Sequence, residues 1–143
     1  MGNKCSVLLV LFFAITATVG CDRLSRPNIS GVWKGSIEAS DKDGHKWQGP
    51  AELTVNQNGD AVTGSLVFTH PQGGRVQIPI SSGVVSKDAV TFSGQNQFPL
   101  GGSIEITFHG QVGGTSLIGT TDMTSRGLFG TVTNSGPIKL TKQ

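Results

Sequence analysis

The stretch Ala51-Glu52-Leu53-Thr54-Val55-Asn56-Gln57-Asn58-Gly59-Asp60-Ala61-Val62-Thr63-Gly64-Ser65-Leu66-Val67-Phe68-Thr69 decides the fold. Ala51, Leu53 and Val55 alternate with Glu52 and Thr54; beyond Asn58-Gly59, Val62, Gly64, Leu66 and Phe68 alternate with Thr63, Ser65 and Thr69. A period of two puts each set on its own face of a strand. Asn-Gly supplies the two positive-φ positions of a tight hairpin turn. The stretch is a β-hairpin with one apolar face.

The same period runs outward in both directions. From Ile29, the residues Ile29, Gly31, Trp33, Gly35 and Ile37 oppose Ser30, Lys34, Ser36 and Glu38, with Val32 the exception. A polar turn, Ser40 to Gly44, leads to a strand over 46–56 that adds Trp47 and Gly49 to the apolar face. Downstream, Pro71-Gln72-Gly73-Gly74 turns into a strand over 75–86, where Pro79 and Gly83 mark an edge, bulge or bend. Lys87-Asp88 precedes a fifth strand (Val90, Phe92, Gly94), and Gln95 to Gly102 reads as the longest loop. A sixth strand over 103–112 carries Ile104, Ile106, Phe108, Gly110 and Val112 opposite Ser103, Glu105, Thr107, His109 and Gln111. Gly113-Gly114 opens a seventh (Leu117 to Met123), and Ser125-Arg126-Gly127 turns into an eighth that ends at Leu140. No segment has a helical period.

A turn–apolar–x–Gly–Ser/Thr pattern recurs at 58–65 and 113–120, more loosely at 87–94, as expected of sequential hairpins. Eight antiparallel strands joined by short turns predict an all-β, eight-stranded up-and-down barrel, which removes exposed strand edges. A two-sheet β-sandwich is the alternative. Glycines on the apolar face either let strands coil tightly or leave space inside. The length, 143 residues, suits one domain. The 21 glycines lack a G-X-Y period, which excludes collagen, and 11 basic against 9 acidic residues with no basic run exclude a nucleic-acid footprint.

The N-terminus carries an address. Met1 to Lys4 is short and basic, and Ser6 to Val19 is a charge-free apolar run, the two parts of a secretory signal and too short for a membrane span. Ala17-Thr18-Val19-Gly20-Cys21 resembles the lipobox of bacterial lipoproteins. That resemblance implies cleavage before Cys21, lipidation of its thiol and a signal over 1–20; the polar residues that follow read as a tether over 21–28 and the strand pattern as a barrel domain over 29–142. Asp22 is similar to an inner-membrane retention signal. Two alternatives stand beside it: an ordinary cleaved signal, and N-myristoylation at Gly2 in the pattern Met1-Gly2-Asn3-Lys4-Cys5-Ser6. With Cys5 removed and Cys21 lipidated, the domain has neither thiol nor disulfide.

Gly31-Val32-Trp33 resembles the G-x-W signature of the calycin barrels, the lipocalins and avidins. The resemblance covers about 29–142 and implies the barrel fold and a plugging role for Trp33 at its floor. The chain has no Tyr and no T-D-Y motif, so no ligand is carried over.

Chemistry is sparse. His45 lies in a turn, His70 at a strand end near the barrel mouth, and His109 shares an outer face with Glu105, where a surface pair is expected. Asp41-Lys42-Asp43-Gly44-His45, with Glu52 at position twelve, partly resembles a calcium loop, but Lys46 stands at the sixth position where the sharp turn needs Gly. A hairpin turn is the expectation there. Every charged residue within a strand faces out or sits at an end, so the interior is dry and unsuited to acid–base work.

The sequence therefore predicts a lipid-anchored protein of the bacterial cell envelope, facing periplasm or exterior, with no catalysis, cofactor or metal. Its partner besides the membrane is a small hydrophobic ligand inside the barrel, lined by Trp33, Trp47, Phe68, His70, Phe92 and Phe108. The alternative is an interaction or structural module with a filled core, meeting an envelope protein through its outer face or loops.

Overall fold

A computed structural model describes residues 26–71 and 73–143. The signal, Cys21 and the first part of the tether lie outside the described residues.

Eight strands follow one another: β1 (Gly31–Asp41), β2 (Lys46–Asn58), β3 (Ala61–His70), β4 (Gly74–Ser86), β5 (Ala89–Gln97), β6 (Ser103–Gly113), β7 (Ser116–Gly127) and β8 (Gly130–Lys142). Each pairs antiparallel with the next, and β8 returns to β1 through pairs such as Trp33↔Lys142 and Ile37↔Ile138. That last ladder closes the barrel and excludes the two-sheet sandwich. The deciding hairpin keeps its register, with Leu53 opposite Leu66 and Asn58 opposite Ala61.

The face sorted by the period of two fills the interior. Trp33, Ile37, Leu53, Leu66, Ile78, Phe92, Ile106, Phe108, Leu117, Met123, Ile138 and Leu140 are all buried. The Phe92 and Phe108 rings stack at 4.6 Å between centroids. Burial of each such side chain contributes about 1.5–3 kcal/mol. Thr121, the buried polar residue among those described, donates its hydroxyl to the Gly136 carbonyl at 3.2 Å.

The glycines on this face bring strands together; they do not open a lumen. Gly110 and Gly119 are paired across β6 and β7. A Cβ at Gly110 would meet the Phe108 ring at 2.4 Å, and one at Gly119 would meet it at 2.5 Å. Phe108 thus covers two glycines with one ring, giving back the packing that they lack. Gly64 has φ of +149° and lies so close to β2 that a Cβ would stand 1.9 Å from the Thr54 carbonyl oxygen. The register of β3 against β4 shifts next to it, between Ala61 and Gly64. A second shift, between Ile80 and Ser82, resolves the Pro79–Gly83 segment as a bulge in a closed wall.

Two boundaries differ from expectation. Gln95 to Gln97 belongs to β5, paired to Glu105, Ile104 and Ser103, so the loop shrinks to 98–102. The run is polar throughout because at the end of the barrel both faces of the strand approach water, and alternation fades. Asn96 also anchors it by donating to the Gln77 carbonyl at 2.7 Å. Likewise Ser125 and Arg126 pair with Val132 and Thr131, which moves the turn to Leu128-Phe129. Polarity misplaces that turn, since its tip is apolar.

One end of the barrel is sealed by the N-terminal strap. Trp33 donates its indole N–H to the Ile29 carbonyl at 2.9 Å, and both residues are buried. Lys142 Nζ lies 5.7 Å from the Trp33 ring and donates to the Asn28 carbonyl. Gln57 clamps the strap: its Oε1 accepts from Ile29 N–H at 2.8 Å, and its Nε2 donates to the carbonyls of Pro27 and Gly59. Gln57→Ala should cost about 1–2 kcal/mol by stranding these partly buried groups. Hydrogen exchange checks it: the Ile29 amide should lose protection before the strand amides do.

Candidate functional site: the open end of the barrel

The opposite end carries the β1–β2, β3–β4, β5–β6 and β7–β8 turns and has no such seal among the described residues. The strand ends and turns there form a cup of about 510 Å³, bordered by Asp41, His45, Lys46, Trp47, His70, Pro71, Val132 and Asn134. Trp47 is half-buried. Its ring stacks on Phe68 at 5.7 Å and meets the His70 ring at 4.8 Å, tilted by 59°. Trp47 therefore stands above the filled core as Trp33 stands at the sealed end, but with its flank toward water. It also borders an outer hollow of about 370 Å³, shared with Ala39 and Gly136.

The wall of the cup is set by one turn. Asp41 Oδ1 accepts the backbone N–H groups of Asp43 and His45, both at 2.9 Å, and Oδ2 meets His45 Nδ1 at 3.0 Å. A short acidic side chain that accepts from the backbone two and four residues on fixes the turn locally. Partial desolvation works to raise the Asp41 pKa, but the hydrogen bonds from His45 and Asp43 outweigh it and hold the carboxyl below its ordinary value. A depressed carboxylate pKa stabilises the turn above the unfolded Asp pKa, and the contribution is lost as pH falls through the lower, folded pKa. Titration by NMR should give an Asp41 midpoint below the ordinary value of about 3.9, with the Asp43 and His45 amides reporting the same midpoint.

Asp41, Asp43 and His45 place ligand atoms within 4.8 Å of one another. Their geometry is that of the expected hairpin turn, since the Asp41 oxygens already accept from the turn itself. Glu52 belongs to no loop: it lies on the outer wall with Lys34, at 3.5 Å.

The predicted lining residues divide between two places. Trp47, Phe68 and His70 come together at the open end. Trp33 belongs to the sealed end, and Phe92 and Phe108 stack with each other in the packed core. His109 and Glu105 do not pair. Residues four apart on a strand are about 13 Å apart, and Glu105 instead accepts from Arg126 on the neighbouring strand. Sequence reasoning placed Asp41 in the turn without assigning it to the mouth, and it missed Val132 and Asn134. The phase of β8 carries the signal for the last two, because both are in step with Ile138 and Leu140.

The loops beside the cup are apolar. Leu100, Leu128 and Phe129 are fully or almost fully exposed, with Phe98 and Val132 partly so. The glycines of Arg126-Gly127-Leu128-Phe129-Gly130 mark this tip in the sequence. Chemically, this end offers stacking, apolar contact and hydrogen bonding.

No protein-family model matches this chain, and no curated protein matches it.

Proposed function

We propose that the protein is a lipid-anchored component of the bacterial envelope that acts by binding another envelope component at the open end of a filled barrel. The observation that carries this reading is the contrast between the two ends. The strap and Trp33 close the end where the chain enters, whereas the other end presents an aromatic cup and exposed apolar loops. Monomeric soluble proteins rarely leave large apolar patches in water without a use for them. The described chain enters at the sealed end, so an anchor at Cys21 leaves the open end unobstructed.

A small hydrophobic ligand is the second reading, favoured by the cup with Trp47 and His70. With Phe92 and Phe108 packed beneath, such a ligand sits in the mouth. Native mass spectrometry of the protein after mild extraction separates the two. A retained small molecule favours the ligand, a retained protein subunit favours the interaction module, and a bare monomer under every extraction condition overturns both. The anchor is tested by Cys21→Ser, which should remove the mass of the lipid from the chain. Membrane-bound protein of unchanged mass, apart from the substitution itself, would refute lipidation.

A further inference from the structure

We infer that the partner at the open end is a second copy of this chain, docked tip to tip through the β5–β6 and β7–β8 loops. The inference rests on the interaction reading above and names its partner. The two loops lie side by side because β6 pairs with β7 up to Ser103↔Arg126, and because Gly102 packs against the backbone of Arg126 and Gly127. A Cβ at Gly102 would lie 2.5 Å from the Arg126 carbonyl oxygen. Phe98 and Leu100 therefore lie in the loop that adjoins the one carrying Leu128 and Phe129. The first loop is held by its own backbone, Phe98 N–H donating to Gly102 O and Gly101 N–H to Phe98 O, both at 3.0 Å. Two short, preorganised apolar tips bind with little ordering cost.

The arrangement is self-complementary. A two-fold axis between the loops sets Leu128 and Phe129 of one copy on Phe98 and Leu100 of the other, and the same operation sets the reverse contact. Area supports a pair. With Val132, these side chains expose on the order of 600 Å² per copy, taking roughly 150–250 Å² for a fully exposed aromatic. Two copies then bury about 1,200 Å², the lower bound of a specific interface. The flanking charges nearly balance: Arg126 is paired with Glu105, the β1–β2 turn sets Asp41 and Asp43 beside Lys42 and Lys46, and exposed Arg75 at the start of β4 adds one positive charge. A rim with so little net charge suits a neutral protein surface and gives an anionic bilayer only the weak attraction of a single basic residue. The strap and tether lie at the far end, so pairing leaves them undisturbed.

Sedimentation equilibrium of the full chain in mild detergent tests this, with the detergent density-matched. Wild-type protein should dimerise reversibly, and the double variant Leu128→Ser/Phe129→Ser should weaken the dimer by about 100-fold or more, with unchanged circular dichroism. In a mixture, chains with Leu100→Cys and chains with Leu128→Cys should form a mixed disulfide that neither forms alone, each carrying Cys5→Ser and Cys21→Ser. A monomeric wild type overturns the inference, as does a dimer indifferent to both tip substitutions. A monomer that retains a different envelope protein through Leu128 and Phe129 overturns the second copy and leaves the interaction reading standing. A monomer that instead binds phosphatidylglycerol vesicles through the same residues overturns both.

Discussion

Phe108→Ala should lower the unfolding free energy by about 4 kcal/mol, the cost of deleting a buried Phe together with the cavity left behind. Phe108 is fully buried and stacked on Phe92, and its ring roofs the Gly110–Gly119 pair. Truncation removes the ring from three neighbours at once and leaves two adjacent strands with no side chain between them. Little collapse can follow, because β6 and β7 are pinned by a continuous ladder from Ser103↔Arg126 to Gly113↔Ser116. The value should therefore sit at or above the middle of the range for such substitutions. A typical domain has only about 5–15 kcal/mol in total, so the variant should be marginal at ambient temperature. Urea unfolding followed by tryptophan fluorescence measures the loss. Leu128→Ser, at the exposed tip, should stay within about 0.5 kcal/mol of wild type in the monomer. Equal losses in the two variants would show that Phe108 is not a core residue of this kind.

Gly64→Ala should cost about 3 kcal/mol through two effects that act together. A side chain at φ near +149° is strained wherever it stands. Its Cβ would also lie 1.9 Å from the Thr54 carbonyl oxygen, a backbone atom that cannot turn away. Overpacking alone costs about 1–3 kcal/mol, and the backbone conformation adds a similar amount. Relief requires β2 and β3 to separate where Val55 pairs with Gly64, and that disturbs Leu53 and Leu66 two pairs along the ladder. Gly59→Ala offers the contrast: its φ is +64° but a Cβ there meets nothing within 4 Å, so strain acts without collision and the loss should be smaller. If the two variants lost equal stability, the close approach at Gly64 would carry no weight.

These two effects separate what the period of two conveys from what it hides. Alternation places Phe108 and Gly64 on the inner face, and that assignment follows from local backbone geometry alone. Whether an inner glycine leaves room or removes it depends on how sharply the neighbouring strand approaches, which no single strand encodes. The candidate site divides the same way. Trp47, Phe68 and His70 could be read as one cluster because they are in phase on two strands joined by a tight hairpin. Val132 and Asn134 join them only because β8 closes onto β1, about 90 residues distant in sequence. The Leu128-Phe129 tip was hidden because turns are sought among polar residues, and this one is apolar.

The sequence by itself determined an all-β chain of eight strands and the face of each that points inward. Those properties follow from the alternation of side chains along a strand and from the turn chemistry of Asn58-Gly59. Only the tertiary structure decided that the sheet closes, that the interior is occupied, and that the aromatic cup and the apolar loops share one end. Closure depends on a ladder between the first and last strands, and the filling depends on strand separations set by all eight together. Both are long-range quantities, and a local period carries no information about them.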